Sequence, residues 1–125
     1  MPIKSLILAL SIALTSLAAP LSHAADEATR TIATILYNLN HFPSDSEKAS
    51  LQAIVASDSA TDAEKTVASA LANIQHKVSD TDAAALQQVV DNAEASAEVR
   101  ELAQILLNVM HSPSAEDKGK LQAMM

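Results

Sequence analysis

The sequence predicts an all-α fold: three tandem αα-hairpins of 35-residue period, forming a short α-solenoid or a compact six-helix bundle after an N-terminal signal peptide. Three observations predict it. The stretch NLNHFPSDSEKASLQAI (38–54) returns as NIQHKVSDTDAAALQQV (73–89) and again as NVMHSPSAEDKGKLQAM (108–124). Apolar residues follow helical spacing on both sides of that motif. The chain holds a single glycine, and its β-branched residues are scattered rather than alternating, which argues against strands.

The N-terminus stands apart. Lys4 provides a positive start, SLILALSIALTSLAA (5–19) is apolar, and Ser22-His23-Ala24 places small residues at a cleavage position. This is the pattern of a secretory signal cleaved after Ala24. The apolar run is shorter than the ~20 residues a membrane-spanning helix needs. The domains expected are therefore a leader, 1–24, and a helical-repeat domain, 25–125, with repeats at about 26–60, 61–95 and 96–125.

Beyond the leader, seven Lys/Arg face fifteen Asp/Glu, a formal charge of −8. That balance speaks against nucleic acid and anionic membrane surfaces, which reward clustered cations. No membrane association is expected once the leader is cleaved. The absence of cysteine excludes a disulfide framework, so the fold relies on packing. A bacterial periplasmic or secreted protein fits.

In register, the copies agree in many columns: Arg30/Lys65/Arg100, Ala33/Ala68/Ala103, Leu36/Leu71/Leu106, Asn38/Asn73/Asn108, His41/His76/His111, Ser44/Ser79/Ser114 and Leu51/Leu86/Leu121. Every histidine after the leader falls in one column. In the first helix of the first unit, Ala28, Ile32, Ile35, Leu36 and Leu39 share one face. Thr61-Asp-Ala-Glu64 forms a capping box at the start of the second unit. The second helix of each unit opens at the matched serine, with Glu47, Asp82 or Asp117 three residues on. Glu suits the reciprocal arm of a capping box; the shorter Asp reaches less well. The stripes Leu51/Ile54/Val55, Leu86/Val89/Val90 and Leu121/Met124/Met125 are expected to face inward. The last of them has no following repeat to cover it, so it is expected either to fold back into a bundle or to pair with another chain as a homo-oligomer.

The chemistry-bearing candidates are few. In a linear stack of helix pairs the three histidines would stand 8–10 Å from neighbour to neighbour, the outer two nearly 20 Å apart, too far to share one ion. His41, His76 and His111 are the candidate ligands should a metal bind, but no metal and no cofactor is assigned. Placed in the last helical turn, each His would instead meet the negative end of the helix dipole. Asn38, Asn73 and Asn108 in the same turn suit free carbonyls at the helix end. Arg30, Tyr37, His41, Lys65, His76, Arg100 and His111 would then form a cationic stripe on the exposed face of the first helices. No cysteine nucleophile, Gly-rich phosphate loop or Ser-His-Asp arrangement brought together by the repeat is present, so no enzyme is expected. The sequence thus reads as an exported, non-catalytic interaction module for a protein or peptide. The alternative is a periplasmic stress-type protein that binds transition metal through the repeated His or acts as a soluble chaperone.

Overall fold

The computed structural model describes residues 26–125; the expected leader and its cleavage position lie outside the described residues. Six helices follow one another: α1 (Glu27–Tyr37), α2 (Asp45–Ala56), α3 (Asp62–Asn73), α4 (Asp80–Asp91), α5 (Ala97–Asn108) and α6 (Ala115–Gln122). The all-α expectation holds, and the described residues contain no β-strand.

Each helix starts where its side chains can take the free N–H groups of the first turn. The Ser44 and Thr61 hydroxyls accept from the N–H groups of Glu47 and Glu64, and both glutamates reach back to the cap backbone. At Ser79 and Ser114 only the forward bond forms, to the N–H groups of Asp82 and Asp117. The shorter aspartate leaves the reciprocal arm unmade, as the spacing predicts. Asp26 and Ser96 cap α1 and α5 in the same manner.

Helices α1, α3 and α5 touch one another pairwise and form the inner layer. Ala33, Ala68 and Ala103, all fully buried, supply the small side chains that let three helices approach closely. The outer helices bridge between units. The α2 helix packs chiefly on α3, α4 on α5, and α6 returns to α1. That last contact closes the assembly, so the linear stack used to space the histidines is not what the chain adopts. Ile32, Leu36, Leu71, Ile105 and Leu106 at the centre, with Leu51, Leu86 and Leu121 from the outer layer, are buried to 1% exposure or less. Burying each such side chain contributes about 1.5–3 kcal/mol.

Closure also decides the fate of the last apolar stripe. Leu121 and Met124 are buried, whereas Met125 is exposed. Val55 is exposed too, and Val90 only partly buried, so each outer stripe is narrower than the periodicity suggests. At the closing seam Gln122 Nε2 donates to the Tyr37 hydroxyl at 3.3 Å, and the Lys118 ammonium sits 5.5 Å above the Tyr37 ring.

Candidate functional site: a three-histidine ring

The motif that links the two helices of each unit builds the site. Leu39, Ile74 and Val109 end the inner helices as buried residues, and Pro43, Val78 and Pro113 re-enter the interior four residues later. Between these anchors the chain must turn sharply at the histidine. His41, His76 and His111 adopt φ of 75°, 71° and 75°, and they are the positive-φ residues of the described chain. At His76 the turn is tight enough for Lys77 N–H to donate to Gln75 C=O at 2.7 Å, an i to i+2 bond of the γ-turn type.

The three turns then pair with one another. His76 N–H donates to His41 C=O at 2.8 Å, His111 N–H to His76 C=O at 2.7 Å, and His41 N–H to His111 C=O at 2.6 Å. Three backbone hydrogen bonds thus close a cycle in which each histidine is donor to one neighbour and acceptor from the other. This places equivalent side chains around one axis at the C-terminal end of the inner helices. The imidazole centroids lie 4.9 Å apart in all three pairs, edge to face. One ligand atom from each ring lies within 4.8 Å of the other two. His76 Nδ1 and His111 Nδ1 are 3.0 Å apart, and His41 Nδ1 stands 2.8 Å from Asn40 Oδ1. His76 and His111 are exposed and His41 half-buried, so the ring opens to solvent.

One of these distances suits a small cation as it stands. Nitrogens at about 2.0–2.1 Å from one ion stand roughly 2.9 Å apart at right angles and about 3.3 Å apart in a tetrahedron. The His76–His111 spacing falls in that range as it stands. Three imidazoles with solvent on the fourth side are a ligand set used for zinc, and imidazole also suits copper and nickel.

The remaining candidates are placed differently. The histidines do not sit in the last helical turn, since α1 ends at Tyr37 and α3 and α5 at Asn73 and Asn108; they lie three or four residues beyond, and the dipole expectation fails. Arg30, Lys65 and Arg100 lie seven or eight residues before those ends, about 10–12 Å back along the helix. The structure does not bring them to the histidine ring. Tyr37 is engaged at the closing seam rather than on a shared stripe. Asn38 Nδ2 donates to Thr34 C=O at 3.1 Å, the helix-end role expected of it; Asn73 and Asn108 are exposed at the ends of their helices.

A second column, not singled out by the sequence, meets at the other end of the inner helices. Thr29, Glu64 and Val99 are equivalent at the 35-residue spacing, and all three are buried. Thr29 Oγ1 donates to Glu64 Oε2 at 3.0 Å, and Thr61 N–H to Glu64 Oε1 at 2.8 Å. Burial, then a hydrogen bond with Asp26, raises the Glu64 pKa. The Asp26 pKa is lowered against its own desolvation by hydrogen bonds with Glu64 and Thr29 and by the nearby Arg30 charge. A hydrogen bond between the two carboxyl groups accounts for the opposite directions. A cleft of about 500 Å³ reaches this pair, lined by Asp26, Ala28, Ile54, Ala60 and Glu64 among others.

The chain matches no protein-family model, and no curated protein or solved structure matches it.

Proposed function

We propose that the protein is an exported, non-catalytic helical protein of three αα units that binds a late transition-metal ion through His41, His76 and His111. The observation that carries this reading is the hydrogen-bonded backbone cycle, which sets three imidazoles 4.9 Å apart around one axis. Neither helix capping nor core packing requires an imidazole there. A left-handed backbone costs a non-glycine residue roughly 1–2 kcal/mol, and glycine is the usual occupant. Histidine stands in all three places instead, and strain of that kind concentrates at functional sites.

The peptide-module reading draws on a weaker feature. Phe42 and Met110, 57% and 68% exposed, flank the ring and would be the contacts for an apolar partner. Arg30, Lys65 and Arg100, first expected to serve that partner, lie seven or eight residues before the helix ends rather than beside these two side chains. Catalysis has no further support: the residues adjoining the histidines are Asn40, Gln75 and Met110 on one side and Phe42, Lys77 and Ser112 on the other, with no carboxylate to serve as a base.

Isothermal titration of the chain from Ala25 onward with zinc, copper and nickel tests the proposal. One ion per chain is expected, with binding abolished in the triple His→Ala variant while the helical circular dichroism persists. Binding that survives in that variant, or no binding by the native protein, sinks the reading. Export is tested separately by the N-terminal mass of the secreted protein, which should begin at Ala25.

A further inference from the structure

The three imidazoles are equivalent in position but not in orientation. Their centroids form an equilateral triangle, and their φ angles agree within a few degrees, at 75°, 71° and 75°. Yet only His76 and His111 turn Nδ1 toward each other, at 3.0 Å. His41 turns its Nδ1 to the Asn40 side-chain oxygen, at 2.8 Å, and therefore carries its proton on that atom. The equivalent positions in the other units are Gln75 and Met110, which make no such bond. Ligand atoms up to 4.8 Å apart exceed the roughly 4.1 Å that two nitrogens can span across one ion. Metal binding thus requires one ring to move.

The smallest motion that frees His41 Nδ1 from Asn40 without moving the ring away is a half-turn about χ2. It exchanges Nδ1 with Cδ2 while leaving the ring centroid in place, and χ2 of histidine is a broad, roughly two-fold torsion. Resting on the metal-binding reading above, we infer that one divalent late first-row ion is bound through the Nδ1 atoms of all three histidines. The His41 ring turns over and gives up its Asn40 hydrogen bond as the ion enters, and its Nδ1 proton, like the one shared between His76 and His111 Nδ1, exchanges through solvent to Nε2 of the same ring. Asn40 is then a positioning residue for the metal-free state, holding the site at two facing ligands, and it opposes loading instead of assisting it. This runs against the usual arrangement, in which the hydrogen-bonded nitrogen of a ligating histidine stays protonated and the other nitrogen takes the metal.

Zinc, being diamagnetic, is the probe. Long-range 15N–1H correlation spectra of histidine-labelled protein should place a proton on His41 Nδ1 without zinc, and zinc on Nδ1 of all three rings at saturation. Asn40→Ala should strengthen zinc binding by roughly two- to fivefold, the worth of one exposed hydrogen bond removed from the competing state. Zinc on Nε2 of His41, or unchanged or weakened binding in Asn40→Ala, overturns the inference while leaving the metal reading intact. Absence of zinc binding by the native protein overturns both.

Discussion

The two ends of the inner helices carry the same repeat to opposite outcomes. At the C-terminal end one column holds His41, His76 and His111, and three identical residues make a symmetric ring open to solvent. At the N-terminal end the corresponding column holds Thr29, Glu64 and Val99, three different residues in a buried cluster. Identity around the axis brings three imidazoles together in one ring. Divergence yields a donor, an acid and an apolar neighbour that satisfy one another internally. The histidine end thus has the form of a binding site, and the acid end that of a structural joint.

The largest expected effect separates the ends by stability. Glu64 is 1% exposed and holds both the Thr29 hydroxyl and the Thr61 N–H. Glu64→Ala removes one arm of a capping box, leaves a buried hydroxyl without its acceptor and opens a cavity. The cost expected is about 3 kcal/mol in urea unfolding, with zinc affinity unchanged. His76→Ala, at an exposed position, should do the reverse. If Glu64→Ala weakens zinc binding, the two ends are coupled through the inner helices and the division into joint and site fails.

The next effect concerns protonation at the joint. Because its folded pKa is raised, Glu64 contributes stability that is present below the unfolded value, near 4.5, and lost as pH rises through the folded value. Asp26, with a lowered pKa, acts in the opposite sense: its contribution is present above the unfolded value, near 3.8, and lost in acid. The Glu64 contribution should therefore decline as pH rises from about 4.5 through its raised folded value, while that of Asp26 falls away only below about 3.8. Glu64→Gln keeps the shape and supplies a permanent donor toward Asp26. It should raise the melting temperature at pH 7 and lose that advantage near pH 4. An equal shift at both pH values would place the effect in packing and not in the shared proton.

How far the sequence discloses these ends is uneven, and the reason is physical. The serine caps, the Glu–Asp difference at their third residues and the buried Ala33 column follow from local rules, because capping and helix periodicity act within one or two turns. The histidine ring does not, since it depends on whether three units stack in a line or close. That choice is made by α6 meeting α1, a contact some 85 residues apart, as between Gln122 and Tyr37. A clue was present in the apolar Leu121 and Met124, which need a surface to cover them. Closing the units onto α1 buries that face, and closure brings any shared column to a common axis. The Glu64 cluster was hidden for another reason. Its column holds no repeated residue type, and Glu64 already had a complete local role as the reciprocal arm of its cap.

A calibration away from both ends is Gly119→Ala. Gly119 lies inside α6, where Ala49 and Ala84 stand in the other units, and a Cβ placed on it meets nothing within 4 Å. The gain expected is about 1 kcal/mol, seen as a higher melting temperature with zinc affinity unchanged. A smaller gain would show that α6 frays at its end, and would lower the weight given to closure by this helix.

The smallest effect is the most direct test of what the histidine column is for. At φ near 75° a glycine avoids the left-handed penalty of roughly 1–2 kcal/mol but loses more chain entropy on folding, roughly 0.5–1 kcal/mol. His76→Gly should therefore stabilise the metal-free protein slightly, by about 0.5 kcal/mol, whereas His76→Ala keeps the penalty and should give no gain. Chemical denaturation without metal, compared across the two variants, measures the difference. In the presence of zinc the order should reverse, with native protein most stable, because an ion bound only to the folded state adds stability in proportion to its occupancy. If glycine is no better than alanine without metal, the turn is held by the backbone cycle at no cost, and strain ceases to be an argument for function at this end. If glycine is better and zinc fails to restore the native advantage, the histidines are retained for something other than the ion.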